Sequence, residues 1–297
     1  MGAGAGEGTT YWLQWQVPIC ALVFIVPGAV AAVVLYRLRG VHLRASDLWL
    51  PCWRRVRPGW LLGYRAVVLL VMSYVLYRIA LQHGASVVYF YTQWTFSLVI
   101  VYFADREEGE SQESERRAGG GFRWRIGRGK AMVAGGAWDV DVCLWLLDFL
   151  KTCYYDNGRK TSAGAVILTD IVFWGLIVPF LSNEHFKLNV LMGCMHSLNL
   201  LFLLFDTALN SLPFPWFGMA YFVLWSCTYV IFQWVLHACG FTWWPYPFLE
   251  LDTPWAPLWY LCMALVHIPC YVFYTLVVKA KNSLFSKWFP NTYIRSY

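Results

Sequence analysis

The chain has 297 residues, of which 59% are hydrophobic and 13% charged, with 18 tryptophans, 18 tyrosines and 20 phenylalanines. A soluble globular domain carries about 25% charge, so this balance excludes one and points to a single polytopic membrane domain, residues 1–297, of the all-α class. The formal charge of +6 is spread over the connections between apolar runs; it is read as a record of membrane orientation, and no nucleic-acid partner is expected.

In chain order, seven runs are long enough to cross a hydrocarbon core of roughly 30 Å: 17–36, 62–81, 87–104, 163–181, 188–209, 216–237 and 257–279. Helices are expected, because each segment must pair its own backbone groups in lipid. The first run keeps its place as a span, since MGAGAGEGTTYW lacks the basic flank of a cleaved signal, and Pro27 is expected to kink it. Basic residues gather in 17–61 after the first span (Arg37, Arg39, Arg44, Arg54, Arg55, Arg57), in the loop 105–162 and in the tail (Lys279, Lys281, Lys287, Arg295). Two spans separate the first cluster from the second and four separate the second from the third, so all three fall on one side. The positive-inside rule then puts the N-terminus outside or in the lumen and the C-terminus in the cytosol, in the endoplasmic reticulum or plasma membrane.

The loop 105–162 divides in two. DREEGESQESERRAGGG has no apolar pattern and reads as disordered. The stretch 131–150 contains Asp139, Asp141 and Asp148 and reads as an interfacial helix, with a re-entrant segment or an eighth span as alternatives. Past the sixth span, CGFTWWPYPFLELDTPWAPLW is expected to form an ordered outer cap, with Trp243, Trp244, Tyr246, Trp255 and Trp259 at the water–lipid boundary. The nine cysteines include no CxxC pair; neither a disulfide framework nor a zinc site is expected, and no metal or cofactor.

The candidate chemistry centres on His196, inside FKLNVLMGCMHSLNLLFLLFDTAL. An ionisable side chain within a span faces protein or water and is a functional candidate by default. Counted from the outer side, His196 is about 12 Å deep at the helical rise, and Thr92 and Thr95 of the third span lie in the same layer. A hydroxyl beside a neutral imidazole supplies a nucleophile and a base for attack on a carbonyl. Gln93, Trp94, Asn189 and Asn199 are candidate oxyanion donors, His237 a residue of the mouth, and His267 a further lining residue. Against this stands ordinary hydrogen bonding, since intramembrane hydroxyls commonly bond to helix carbonyls. Asp206, about 15 Å along the helix from His196, is too far to complete a triad with it.

The runs MHSLNLLFLLFD (Met195–Asp206) and WVLHACGFTWWPYPFLE (Trp234–Glu250), with the FYTQW run (Phe90–Trp94), resemble the androgen-induced and androgen-dependent transmembrane hydrolases. The resemblance covers 62–279, which would form a six-helix core. It implies an intramembrane hydrolase of fatty acid esters of hydroxy fatty acids with catalytic Thr92 and His196. Thr92 follows the aromatic pair Phe90–Tyr91; Thr95, followed by Phe96, is the alternative nucleophile. The extra N-terminal span, the long Arg/Gly-rich loop, Asp206 in place of a glutamate and the extended tail are closer to the Rolling stone-like branch. The expected partner is a membrane lipid or fatty-acyl ester substrate. Two other readings remain: a non-catalytic receptor or lipid-binding scaffold, and a transporter or channel with Asp170, His196 and His267 along a polar path.

Overall fold

The computed structural model describes residues 11–38, 51–117, 158–181 and 190–295. The described residues are all-helical. The helices are α1 (Gln16–Arg37), α2 (Pro58–His83), α3 (Tyr91–Arg117), α4 (Gly158–Val172), α5 (Val190–Leu209), α6 (Gly218–Ala238) and α7 (Ala256–Trp288). A wide π-type segment, Phe173–Leu181, continues α4 and contains Pro179. Its looser turn suits a residue that lacks an N–H and crowds the preceding turn.

Six helical stretches among the described residues are long and apolar enough to cross a membrane: Gln16–Arg37, Gly59–Tyr89, Thr161–Phe180, Val190–Leu209, Gly218–Ala238 and Ala256–Trp288. The expected span 87–104 differs from this picture. At Gly84 (φ 58°) the chain leaves α2, and Gly84–Tyr89 forms a 3₁₀ turn before α3 begins at Tyr91. From Tyr91 to Asp105 the apolar part of α3 is only about 21 Å long. The helix then runs on into residues expected to be disordered, reaching Arg117; the Glu, Gln and Arg of that stretch are good helix formers, which offsets the lack of apolar periodicity. Residues 118–157 of that loop, including 131–150, lie outside the described residues, and 158–162 already belong to α4.

α4 is the centre of the bundle and touches α3, α5, α6 and α7. Every residue from Thr161 to Asp170 is buried. The reason is in its sequence, TSAGAVILT, whose small side chains let neighbouring backbones approach. At Gly164 a Cβ would lie 2.5 Å from the Phe222 ring. α1 packs outside this centre, against α6 and α7.

One end of the bundle is tied together by backbone. Cys52 N donates to Leu209 O at 2.9 Å, and Ile294 N donates to Cys52 O at 2.7 Å. The connection before α2, the end of α5 and the tail after α7 therefore meet at one face. Just inside it is a buried polar node. Arg65 Nε donates to Asp206 Oδ1 at 2.9 Å, Tyr102 OH to Asp206 Oδ2 at 2.5 Å and Asn210 Nδ2 to the same carboxylate. Lys281 Nζ donates to the carbonyls of Thr207 and Asn210 at 3.0 and 2.9 Å. Asp206 is thus held by an arginine from α2.

At the other end, the segment after α6 folds back over the helices. Trp243, Trp255 and Trp259 are exposed, as a boundary role requires, but Tyr246 is buried together with Phe248, Leu249 and Leu251. Tyr246 is consequently a wall of the interior. Gln14 Nε2 donates to Asp252 Oδ1 at 3.0 Å, tying the segment before α1 to this cap.

Candidate active site

Beneath the cap, two adjoining cavities share five lining residues, Thr92, Phe173, Ile177, His196 and Tyr246. The central one is about 90 Å³ and also reaches Tyr91, Ser226 and His267. The outer one is about 290 Å³ and extends past Gln93 toward Gln82 and His83 at the end of α2. Their walls are mainly apolar side chains, with a few hydroxyls and imidazoles turned inward. That mixture suits a lipid-like ligand with one polar reacting centre.

His196 and Thr92 come from α5 and α3, and both are buried. The His196 ring lies flat on Phe173, with centroids 3.6 Å apart and planes 5° from parallel. This stacking fixes the imidazole plane, and an aromatic face favours a cation placed against it. Nδ1 of His196 has no hydrogen-bond partner among the described residues. Thr92 Oγ1 faces the Tyr246 hydroxyl at 3.5 Å, a long contact. The backbone N–H groups of Tyr91 and Thr92 lie in the first turn of α3. Those N–H groups have no intrahelical acceptor and carry the positive end of the helix dipole. Burial pushes the Tyr246 phenol above its ordinary value, so it remains a protonated donor near neutral pH.

The other sequence candidates divide. Gln93 lines the outer cavity, with its Nε2 3.8 Å from Met195 Sδ. Trp94 does not serve as an oxyanion donor, because its Nε1 already donates to Val88 O at 2.7 Å. Thr95 is fully buried and is not among the residues lining either cavity, so Thr92 is the better placed hydroxyl. Asn199, one helical turn from His196, is buried beyond the cavity walls. Asn189 lies outside the described residues. His237 stacks on Trp244 at 4.4 Å, with Tyr11 at 4.9 Å; aromatic packing in the cap takes it out of the mouth. His267 does enter the central cavity. Asp170 does not line it, so the path expected to join Asp170, His196 and His267 lacks its acid.

Two participants were not anticipated. Ser226 Oγ lies 2.7 Å from His267 Nε2 and 2.8 Å from Tyr91 OH. Tyr246 was read as an interface aromatic and instead faces the Thr92 hydroxyl. No local pattern marks Ser226, since a serine in an apolar helix normally bonds within its own turn. The prolines flanking Tyr246 signal only a fixed loop. Among family models, curated proteins and solved structures, none matches the chain.

Proposed function

We propose that the protein is an intramembrane hydrolase of lipid esters, with Thr92 as nucleophile and His196 as base. The observation that carries this reading is that Thr92 and His196, from different helices, line the same two apolar cavities. A fatty-acyl ester enters laterally from the bilayer, its chains lying among Val87, Leu191 and Met192 of the outer cavity. With its carbonyl against the start of α3, the Thr92 oxygen attacks the carbonyl carbon as the proton passes to His196, directly or through one water. The developing oxyanion is met by the first-turn N–H groups of α3 and by the Tyr246 phenol. The departing alkoxide takes the proton back from His196. Water then cleaves the acyl-threonine with the same imidazole as base.

The family resemblance points to a fatty acid ester of a hydroxy fatty acid as the substrate type, and a fold of seven spans with the N-terminus outside or in the lumen suits it. Support for α3 as a crossing comes from its contacts: Thr92 faces Tyr246 of the cap, whereas Tyr102 reaches Asp206 at the opposite end. The meeting of the 51–54 segment, the end of α5 and the tail supports a common cytosolic face in the endoplasmic reticulum or plasma membrane.

The test is hydrolysis of a panel of fatty-acyl esters by purified protein in detergent or nanodiscs. Activity is expected in the wild type and in Thr95→Ala, and is expected to fall sharply in Thr92→Ala and His196→Ala. A folded wild-type protein that cleaves no ester in the panel would overturn the proposal.

A further inference from the structure

We propose that Ser226 is a second acyl-accepting nucleophile, with His267 as its base, lining the same central cavity as Thr92. This goes beyond the Thr92 reading and can stand or fall without it.

The hydrogen bonds define the protonation pattern. His267 Nδ1 lies 2.7 Å from the Met263 carbonyl. A carbonyl only accepts, so Nδ1 carries the ring proton and Nε2 presents its lone pair. Ser226 Oγ, 2.7 Å from Nε2, therefore donates to it. The Tyr91 hydroxyl, 2.8 Å from Ser226 Oγ, is left to donate to the serine oxygen. A hydroxyl whose proton points at a neutral imidazole, itself oriented through its second nitrogen, is the arrangement of an activated serine.

Its neighbours behave differently. Thr228 Oγ1 donates to Leu224 O at 2.9 Å and Thr275 Oγ1 to Tyr271 O at 2.9 Å. These are the within-helix bonds expected of hydroxyls in apolar helices. Ser226 instead reaches across to α7 and α3. It also has access to a ligand: Ser226 and His267 line the central cavity and a further one of about 90 Å³ that is bounded by Val23, Phe24 and Pro27 of α1. The ligand class that suits these walls is a carboxylic ester of a fatty acyl chain.

In the reaction, the Ser226 oxygen bonds to the acyl carbon while its proton moves to His267 Nε2. The carbonyl π electrons move onto oxygen, with the Tyr91 phenol as the donor at hand. Collapse restores the carbonyl, breaks the bond to the alcohol oxygen, and returns the proton from His267 to that alcohol. Water, deprotonated by His267, then releases the fatty acid and regenerates Ser226.

The experiment is covalent labelling of the full-length protein in nanodiscs with an alkyl fluorophosphonate, followed by peptide mapping. An adduct on Ser226 is expected, undiminished in Thr92→Ala and slowed about a hundredfold in His267→Gln, the scale of a lost general base. Ser226→Ala, a near-isosteric change that leaves the helix intact, must remove that adduct. Labelling confined to Thr92, or no Ser226 adduct on protein that elutes as a folded species, overturns the proposal. Labelling of Ser226 alone supports it and removes Thr92 as the nucleophile.

Discussion

Asp206→Ala separates a structural role for this acid from a catalytic one. Arg65 and Asp206 are both fully buried, with Nε and Oδ1 2.9 Å apart. At an effective dielectric of 20, unit charges about 4 Å apart attract by about 4 kcal/mol. Removing one member of a buried pair leaves the other charge uncompensated and costs about 3–5 kcal/mol, so the two routes agree. Tyr102→Phe deletes one bond to the same carboxylate and is expected to cost about 1.5–3 kcal/mol. Arg65→Met with Asp206→Leu removes both charges and should recover most of the loss, because an apolar pair of similar size is often neutral or stabilising in place of a buried ion pair. Unfolding in mixed micelles titrated with dodecyl sulfate, followed by tryptophan fluorescence, measures all four proteins. A loss below about 1 kcal/mol for Asp206→Ala, or a double variant as damaged as the single one, refutes the reasoning. A pH–rate profile altered in Asp206→Ala at unchanged stability would instead make the acid part of the reaction, against a separation from His196 of about 15 Å along α5.

Three further outcomes are expected. Tyr246→Phe removes a phenol 3.5 Å from Thr92 Oγ1; ester hydrolysis should fall about a hundredfold in kcat/KM, the scale of one oxyanion donor, with little change in unfolding. Gly164→Ala puts a Cβ 2.5 Å from the Phe222 ring, which itself packs against His267 at 4.5 Å. Overpacking of about 1–3 kcal/mol is expected there, whereas Gly175→Ala meets nothing within 4 Å and serves as the control in the same unfolding assay. Cys239 is exposed at the cap end of α6, whereas Cys52 is buried and its thiol pushed up to about 11 by that burial. An impermeant maleimide added to the cap side at pH 7 should modify Cys239. Cys52 stays a protonated thiol below about pH 11 and should react only on unfolding, with mass spectrometry locating each adduct.

Much of the bundle was legible because apolar length is a local property. The expected runs 17–36, 62–81, 163–181, 216–237 and 257–279 fall on helices whose ends lie close by, apart from α7, which runs on to Trp288. The third helix was harder to read. ASVVYFYTQW is continuous in hydrophobicity, yet Gly84 and the 3₁₀ turn divide it, and hydropathy does not register a change of helical type. The charged continuation of α3 was missed for the opposite reason, since its residues carry helical propensity without an apolar face. Arg65 was invisible as a partner of Asp206, because a cation inside an apolar run gives no hint of which helix supplies its counter-charge.

The candidate site follows the same division between what is local and what is not. Depth along a helix follows from residue count, and this brought Thr92 and His196 into one layer. Whether two side chains at one depth face each other depends on helix rotation and on the cap, neither of which is written within a single span. Tyr246 lies 154 positions from Thr92, and Ser226 lies 41 from His267. The second pairing depends on α4 being narrow enough at Gly164 for Phe222, which packs against His267, to close against it. A stretch of small residues with no chemistry of its own therefore helps to position a hydroxyl that carries chemistry. A bulky residue at position 164 would be expected to disturb Ser226 before Thr92, because Phe222 contacts His267 directly.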